Sequence, residues 1–467
     1  MSLPDLLERQ RAAFVRDGFP DAATRRGHLR ALERALFEGR DDIARAVSAD
    51  YGQRSPAETL GSEIVPTLRY SRFLRRHLGG WMRPAWRAPD LHSFFARAHV
   101  VPQPLGVVGV MSAWNFPVML ALMPVSCALA AGNRVLLKVS EQAPRTGALL
   151  AGLVGAALPP EVAAVVQGGP EVGEEFSRLP FDHLLFTGST AIGRKVAQAA
   201  AANLVPVTLE LGGKSPAIVE SAAWIESAAE RVAFGRYFNA GQACVAVDYA
   251  LVPRGEGERF ARVVAERERR LRAGRMADSL DTTTIVDQRH FDRLRSLVDD
   301  ARSRGARVIE IFPGEPPDPA TRLFPGVVLL GVNSEMRVMK EEIFGPILPV
   351  LEVDSLDAAI DFVNARPRPL TLYWFGGATG RKRVERGTVS GQLVANDVLW
   401  HFVQRGLRFG GVGESGMGAY HGREGFFTFS HHKSVFVQPR WNPVRLFRPP
   451  FPGSRWKKAV LEYFLRF

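Results

Sequence analysis

Cysteine is nearly missing from this chain. Two occur among 467 residues, Cys127 and Cys244. That is too few for a disulfide framework and points to a reducing, intracellular setting. An uninterrupted membrane span is missing too. Residues 105–133 carry no charged side chain, a length that raises a membrane-spanning reading. Asn115, Pro117 and Pro124 interrupt the run and Gly106, Gly109 and Gly132 punctuate it. It therefore reads as strand, polar turn and buried helix. The N-terminus carries Asp5 and Glu8 and no apolar core segment, which excludes a secretory signal. The net charge of +12 favours anionic partners. No basic block with interleaved aromatics appears in the body of the chain, so no nucleic acid is expected. A phosphorylated cofactor and an acidic membrane surface remain. Asp299, Asp300 and Arg302 read as a solvated helix face, and no metal is expected. No internal repeat stands out.

What is present is an α/β rhythm. Residues 4–50 have helical spacing, and 56–78 form a third helical stretch with Leu60, Ile64 and Leu68 on one face. Residues 81–104 hold four prolines and read as an extended packing arm outside the core sheets. Short apolar strands then alternate with helices: strands at 106–111, 133–139, 162–166 and 181–186, helices through Ala131 and over 145–157. This indicates a parallel sheet covered on both faces, in the style of a nucleotide-binding unit. The turn Gly188-Ser-Thr-Ala-Ile-Gly193 is expected to open a helix over 194–202 and to let backbone approach a phosphate, although its spacing is not G-x-G-x-x-G. A second α/β unit runs from 216 to about 393, with surface helices over 260–271 and 288–304. The glycine-rich loop 408–422 reads as backbone packed against a ligand or another domain. His421 within it reads as a hydrogen-bonded structural histidine ahead of an acid or base.

Two stretches carry candidate chemistry. Glu210 ends a run of strand formers before Gly212-Gly213-Lys214, and Cys244 follows the small-residue turn Asn239-Ala-Gly-Gln-Ala. A thiolate is a strong nucleophile, and a nearby carboxylate can serve it or activate a water. Taken alone, a cysteine between Ala and Val reads first as a small core residue.

The motifs in order are more specific. They are Trp114-Asn-Phe-Pro, Lys138-Val-Ser-Glu141, Phe186-Thr-Gly-Ser-Thr, Glu210-Leu-Gly-Gly-Lys, Gly241-Gln-Ala-Cys244, Glu342-Ile-Phe-Gly-Pro and Phe409-Gly-Gly-Val-Gly-Glu-Ser-Gly. Together they resemble the aldehyde dehydrogenase superfamily over roughly residues 5–440. The wording around Glu210 and the Ala-Tyr-His-Gly and Phe-Ser-His-His-Lys-Ser-Val stretches are similar to its class 3 branch. That branch includes fatty and aromatic aldehyde dehydrogenases and bacterial coniferyl aldehyde dehydrogenases. The resemblance implies an α/β aldehyde dehydrogenase fold with two parallel-sheet domains and a small oligomerisation arm. Its implied boundaries are 1–80 and 103–208 for an NAD(P)-binding domain, with 397–420 returning to it. The catalytic domain is 209–396, the bridging and oligomerisation segments are 81–102 and 421–440, and the tail is 441–467.

The resemblance further implies that Cys244 attacks the aldehyde, Asn115 holds the oxyanion and Glu210 activates water. Lys138 and Glu141 would take the adenosine ribose, and Thr187, Gly188, Ser189 and Gly193 the pyrophosphate turn. Glu342 and Phe344 would meet the nicotinamide ribose and ring, and Trp114 belongs to the same cofactor-binding set. NAD ranks ahead of NADP, because the Glu141 carboxylate repels a 2′-phosphate. Val139 departs from the proline usual after the lysine, which removes a φ restraint but no contacting atom. A CoA-acylating relative is the alternative that Glu210 argues against. A non-catalytic membrane-associated relative is the other, disfavoured by the intact Cys244, Asn115 and Glu210. The implied partners are a small-molecule aldehyde and a second copy in a homodimer. The location expected is cytoplasmic, and peripheral contact at the inner membrane face is a reading of the tail's own residues. Residues 441–467 hold six Lys/Arg against one Glu. Trp456, Ala459, Val460, Tyr463, Phe464 and Phe467 recur on one helical face. Thirteen residues reach only about 20 Å, too short to span a bilayer. A helix lying in a membrane interface and one docked on protein both fit.

Overall fold

Every residue of the strands Val107–Met111, Arg134–Lys138 and His183–Thr187 is buried, as a parallel sheet covered on both faces requires. The computed structural model describes residues 2–90, 93, 95–272, 276, 279–441, 449 and 455–464. These strands belong to a six-stranded sheet in the order Gly416–Met417, Val207–Glu210, His183–Thr187, Val107–Met111, Arg134–Lys138, Ala163–Val166. All neighbours are parallel except Gly416–Met417, whose Gly416 pairs antiparallel with Glu210. The chain winds outward in both directions from Val107–Met111. That topology leaves a crevice beyond the strands' C-terminal ends at the switch point.

The uncharged run 105–133 takes the expected form. Its helix Met119–Ala131 is buried all round, with Pro124 inside. The N-terminal helices cover one face, so Leu29, Leu36, Tyr51 and Leu74 share a core with Val108, Val135 and Leu137. The helical stretch 56–78 is interrupted: a π-helical turn, Leu60–Ile64, separates Pro56–Thr59 from Val65–Trp81.

The chain leaves this sheet after Glu210 and builds a second. Its order is Arg307–Glu310, Val327–Leu330, Ile347–Val353, Tyr249–Pro253, Pro216–Val219, Thr371–Phe375, Gln392–Ala395. It is parallel except at Arg307–Glu310, so each large sheet carries one antiparallel edge that its strand pattern did not reveal. The proline-rich arm forms a separate antiparallel sheet of Ala85–Arg87, Arg97–Pro104 and Ser430–Val437.

Two other elements differ from expectation. The helix after the Gly188 turn begins at Thr190, because the Ser189 hydroxyl accepts the Ile192 N–H at 3.4 Å and caps it there. Gly193 thus lies inside the first helical turn. An unpredicted helix, Pro170–Ser177, lies between the strands Ala163–Val166 and His183–Thr187 and starts on its proline. In the tail, Arg455–Phe464 is helical, with Trp456, Ala459, Arg455 and Lys458 exposed. The side chains of Val460 and Phe464, Phe467, and residues 442–448 and 450–454 lie outside the described residues. No described helix is long and apolar enough to cross a membrane.

Packing at Gly109 gives a direct test. A Cβ there would stand 2.7 Å from the Phe181 ring and 2.9 Å from Leu184. Gly109→Ala is therefore expected to lower unfolding stability by about 1–3 kcal/mol. Gly152, in the helix Pro144–Ala157 with open space around it, gives the opposite sign: Gly152→Ala raises stability by about 1 kcal/mol. Urea unfolding curves of both variants check the pair.

Candidate active site

The two sheets meet at a cavity of about 850 Å³ at the crevice predicted by the strand order. Met111, Lys138, Thr187 and Glu210, the last residues of four strands, all line it. The second unit contributes Cys244, Glu342 and Phe344, and the turn after Met111 contributes Trp114 and Asn115. Glu141, Gly188 and Ser189 complete the set. Eleven of the twelve sequence-predicted residues thus share one cavity. Gly193 does not line it. A Cβ at Gly193 would fall 2.5 Å from Leu211, so this glycine packs its helix on the sheet.

The nucleophile candidate sits on an unusual backbone. Asn239, Ala240 and Gly241 have φ of 51°, 52° and 72°, three successive left-handed residues where only glycine is unstrained. Even Gly241 is constrained, since a Cβ there would lie 2.4 Å from the Gly345 carbonyl oxygen. The strained turn is held by hydrogen bonds. Asn239 Nδ2 donates to the Asn115 carbonyl at 3.0 Å and to the Gln242 carbonyl at 3.1 Å. Gln242 Nε2 donates to the Asn239 and Thr284 carbonyls, and its Oε1 accepts the Val286 N–H. Asn115 Nδ2 donates to the Gln242 carbonyl at 3.2 Å. Its second N–H has no protein partner among the described residues.

Electrostatics divide the ionisable groups. Burial pushes the Cys244 thiol well above its ordinary range, and Glu342 and Glu210 add to the shift, while its own backbone N–H and that of Val245 oppose it. Burial likewise pushes the Glu210 carboxyl far up, with partial relief from Arg408. Both Glu210 carboxyl oxygens are buried without a hydrogen-bond partner. Orphaned acceptors of this kind mark a place where another molecule binds. Burial and then Asp248 raise Glu342 to about 8. The Glu342 loop is anchored from the Glu210 side. Lys214 Nζ pairs with Asp248 and donates to the Val338 and Glu341 carbonyls at 2.7 and 3.0 Å. Gly212 lies against this loop, because a Cβ there would meet Glu342 Oε2 at 1.8 Å.

At the other end of the cavity, Lys138 Nζ pairs with Glu141 at 2.7 Å. Against a burial effect that raises it, this ammonium holds the Glu141 carboxyl below its usual value. The buried hydroxyls of Ser112 and Thr187 have no partner. The helix opening at Ser189 offers its free N–H groups and dipole to the same space. The Trp114 and Phe344 rings meet edge to face at 5.4 Å. Ribose hydroxyls, a pyrophosphate and an aromatic ring would each find matching groups here.

Sequence reasoning missed several lining residues. The helix Gln288–Ser303 is not solvated throughout. Arg289, His290 and Arg293 from its start line the cavity. His290 is held by Asp287 at 2.7 Å and its ring lies 5.2 Å from Trp114. Asp287, which caps this helix, was a readable start signal, but nothing in the sequence says where the helix points. His421 is the structural histidine expected, although without a hydrogen bond at Nε2. It is buried at φ 90° among the rings of Tyr70, Phe402, Phe409 and Tyr420. Burial drops it to about 3, so it is a neutral packing ring. Among the described residues no cluster of acidic, histidine or cysteine side chains could hold a metal.

The pattern of the aldehyde dehydrogenase family matches residues 10–435. A probable coniferyl aldehyde dehydrogenase of Pseudomonas aeruginosa is 47% identical over 465 residues, covering 99% of this chain and 96% of that protein. Among solved structures, the substrate-bound state of Staphylococcus aureus AldH superposes with a TM-score of 0.93 at 34% identity, with full coverage of both chains. The Mycobacterium tuberculosis aldehyde dehydrogenase complexed with NAD+ has a TM-score of 0.82 at 27% identity, covering 93% of this chain and 89% of its own.

The two cysteines should react very differently. Cys244 is half-buried and opens on the cavity, whereas Cys127 is fully buried, bonded to Tyr70 at 3.0 Å and raised by burial to about 12. Iodoacetamide is expected to label Cys244 alone in the folded protein. With its thiol held above the ordinary range, the labelling rate rises steadily from pH 7 to pH 9 without levelling off. Peptide mass spectrometry against pH reads both outcomes.

Proposed function

The chain belongs to the aldehyde dehydrogenase family, and from that premise we propose that it oxidises an aldehyde to the carboxylic acid with Cys244 as nucleophile, Asn115 as oxyanion donor, Glu210 as base for water and NAD as cofactor. One observation carries this reading. A half-buried thiol, an amide with a spare N–H and a carboxyl group with both oxygens unpartnered converge in one cavity.

Cys244 Sγ gives up its proton to solvent as it bonds to the carbonyl carbon, and the C=O π bond opens to leave negative charge on the oxygen. The Asn115 Nδ2–H and the Cys244 backbone N–H hold the oxyanion that forms. NAD, when bound, would supply the hydride acceptor for the oxidation. The acyl group then rests on Sγ as a thioester. Glu210 takes a proton from the water that opens it, releasing the acid and the free cysteine. Lys138 and Glu141 would hold the adenosine ribose. Thr187, Gly188, Ser189 and the helix start at Thr190 would hold the pyrophosphate. Glu342, Phe344 and Trp114 would hold the nicotinamide end. The unpartnered hydroxyls of Ser112 and Thr187 support this fit, as does the neighbouring enzyme complexed with NAD+. The Glu141 carboxylate ranks NAD above NADP.

Planar aromatic aldehydes of the coniferyl kind rank ahead of medium- and long-chain aliphatic ones. A row of rings starting next to Asn115 supports this: Phe116 stacks on Phe238 at 6.1 Å, Phe238 meets Phe234 at 5.4 Å, and Phe234 stacks on Trp400 at 6.4 Å. The relative at 47% identity bears a coniferyl aldehyde name. The cofactor unit is taken as 1–80 and 103–208 with 397–420, and the catalytic unit as 209–396. Exposed Trp86, Phe436 and Val437 on the arm sheet support a homodimer through 81–102 and 421–440. The two free cysteines support a reducing cytoplasmic location. The basic helix Arg455–Phe464 supports peripheral membrane contact.

Cys244→Ser is expected to abolish NADH formation with coniferyl aldehyde. Glu210→Gln should spare the first turnover and lower kcat at least a hundredfold, so a burst of NADH without steady turnover is the signature. In the unaltered enzyme, kcat climbs from pH 7 to pH 9, because both groups are raised and gain their reactive deprotonated forms only as pH rises. NADH production that survives in Cys244→Ser removes the nucleophile assignment. For the surfaces, sedimentation velocity should give the mass of two chains, and deleting residues 441–467 should reduce co-sedimentation with anionic liposomes. A one-chain mass, or unchanged co-sedimentation, removes the corresponding part of the reading.

A further inference from the structure

We propose that Tyr51, Arg54 and Glu63, none of which lines the cavity, are positioning residues that form a buried clamp setting the aim of the Asn115 amide. The inference rests on the oxyanion role given to Asn115 above.

The Asn115 peptide is held from behind. Its carbonyl oxygen accepts the Tyr51 hydroxyl at 2.8 Å, Asn239 Nδ2 at 3.0 Å and Arg54 Nη1 at 3.5 Å. The Tyr51 hydroxyl also reaches the Trp114 carbonyl at 3.3 Å. Arg54 is buried, its guanidinium facing the rings of Tyr51 at 5.2 Å and Phe116 at 5.1 Å. Arg54 Nη1 donates to Glu63 Oε1 at 2.9 Å, its Nη2 donates to Ser62 Oγ at 3.2 Å, and Glu58 Oε1 stands 3.4 Å from its Nε. The other Glu63 oxygen accepts the N–H groups of Val118 at 2.7 Å and Met119 at 3.3 Å.

Those two N–H groups open the helix Met119–Ala131, whose own cap position, Val118, supplies no side-chain cap. Glu63 replaces that missing cap from another element. The turn carrying Asn115 is thereby fixed at both ends. Tyr51 and Arg54 pin its peptide, and Glu63 pins the helix start three residues on. Glu63 itself belongs to the π-helical turn Leu60–Ile64, a rare geometry that is frequent at functional sites. A fully buried ion pair is a poor source of net stability. Its use here is geometric: it admits one placement of the 114–119 backbone, and so one direction for Asn115 Nδ2. An oxyanion donor stabilises the reacting oxygen only when aimed at the place that oxygen will occupy.

Tyr51→Phe and Glu63→Gln keep shape while removing the hydroxyl donor and the charge facing Arg54. Each is expected to lower kcat about tenfold with KM for aldehyde and for NAD changed less than twofold. Introduced into Asn115→Ala, each should change kcat less than twofold, because the amide they aim is gone. Full kcat in both single variants, or losses that simply multiply with that of Asn115→Ala, overturn the clamp while leaving the oxyanion role standing. Full kcat in Asn115→Ala itself removes the oxyanion role and the clamp with it. Thermal unfolding of the variants identifies any that fail to fold. Should one of the two fail, the kcat of the other decides whether the clamp stands.

Discussion

Asn239 ties the two halves of the site together. Its side-chain amide bonds to the Asn115 carbonyl on the first sheet's side and to the Gln242 carbonyl beside the nucleophile. Asn115 Nδ2 closes the same small ring through the Gln242 carbonyl. Three hydrogen bonds of 3.0, 3.1 and 3.2 Å thus link thiol turn and amide in a buried place, where each is stronger than in water and costly to leave unmade. The left-handed run from Asn239 to Gly241 is the local expense, worth a few kcal/mol of strain. Ordinary helix or strand geometry would point the following residues elsewhere.

Around that link, burial acts on the ionisable groups in one direction. The Cys244 thiol and the Glu210 and Glu342 carboxyls are all raised. Raised together, the three groups repel one another less than three ionised ones at these positions would. The Asn115 amide can then meet the negative charge that forms on the reacting oxygen. Lys214, paired with Asp248 and bonded to two carbonyls, steadies the Glu342 loop from outside the cavity lining.

Much of this was readable from residues. The fully apolar strand at 106–111, the buried helix after it and the proline-rich arm follow from composition, and the ordered motifs brought Cys244, Glu210 and Asn115 to one family pattern. Other parts could not be read, for physical reasons. Pro170–Ser177 is a short helix of Pro, Glu and Gly whose order comes from packing Phe176 into the first sheet's core. Gln288–Ser303 shows the charge pattern of a surface helix. Its apolar residues Phe291, Leu294 and Leu297 do enter the core, but the direction of its first turn is a tertiary fact. Gly193 looked like a phosphate glycine, yet its lack of a side chain serves the contact with Leu211. Tyr51, Arg54 and Glu63 lie far from Asn115 in sequence, and a buried ion pair leaves no periodic trace.

The antiparallel pairing of Gly416 with Glu210 bears on how the protein is made. A ribosome delivers the chain from its N-terminus, and units fold as they emerge. Glu210 and Cys244 leave the ribosome long before the strand that closes the first sheet beside Glu210. The centre therefore stays open at that edge until synthesis has passed Met417. A nascent chain arrested earlier would carry the thiol, the carboxylate and the amide, but with Glu210 at an unpaired sheet edge, open to water and to other chains. The edge beside Glu210 is thus among the last parts of the first sheet to be closed, by a strand of two residues.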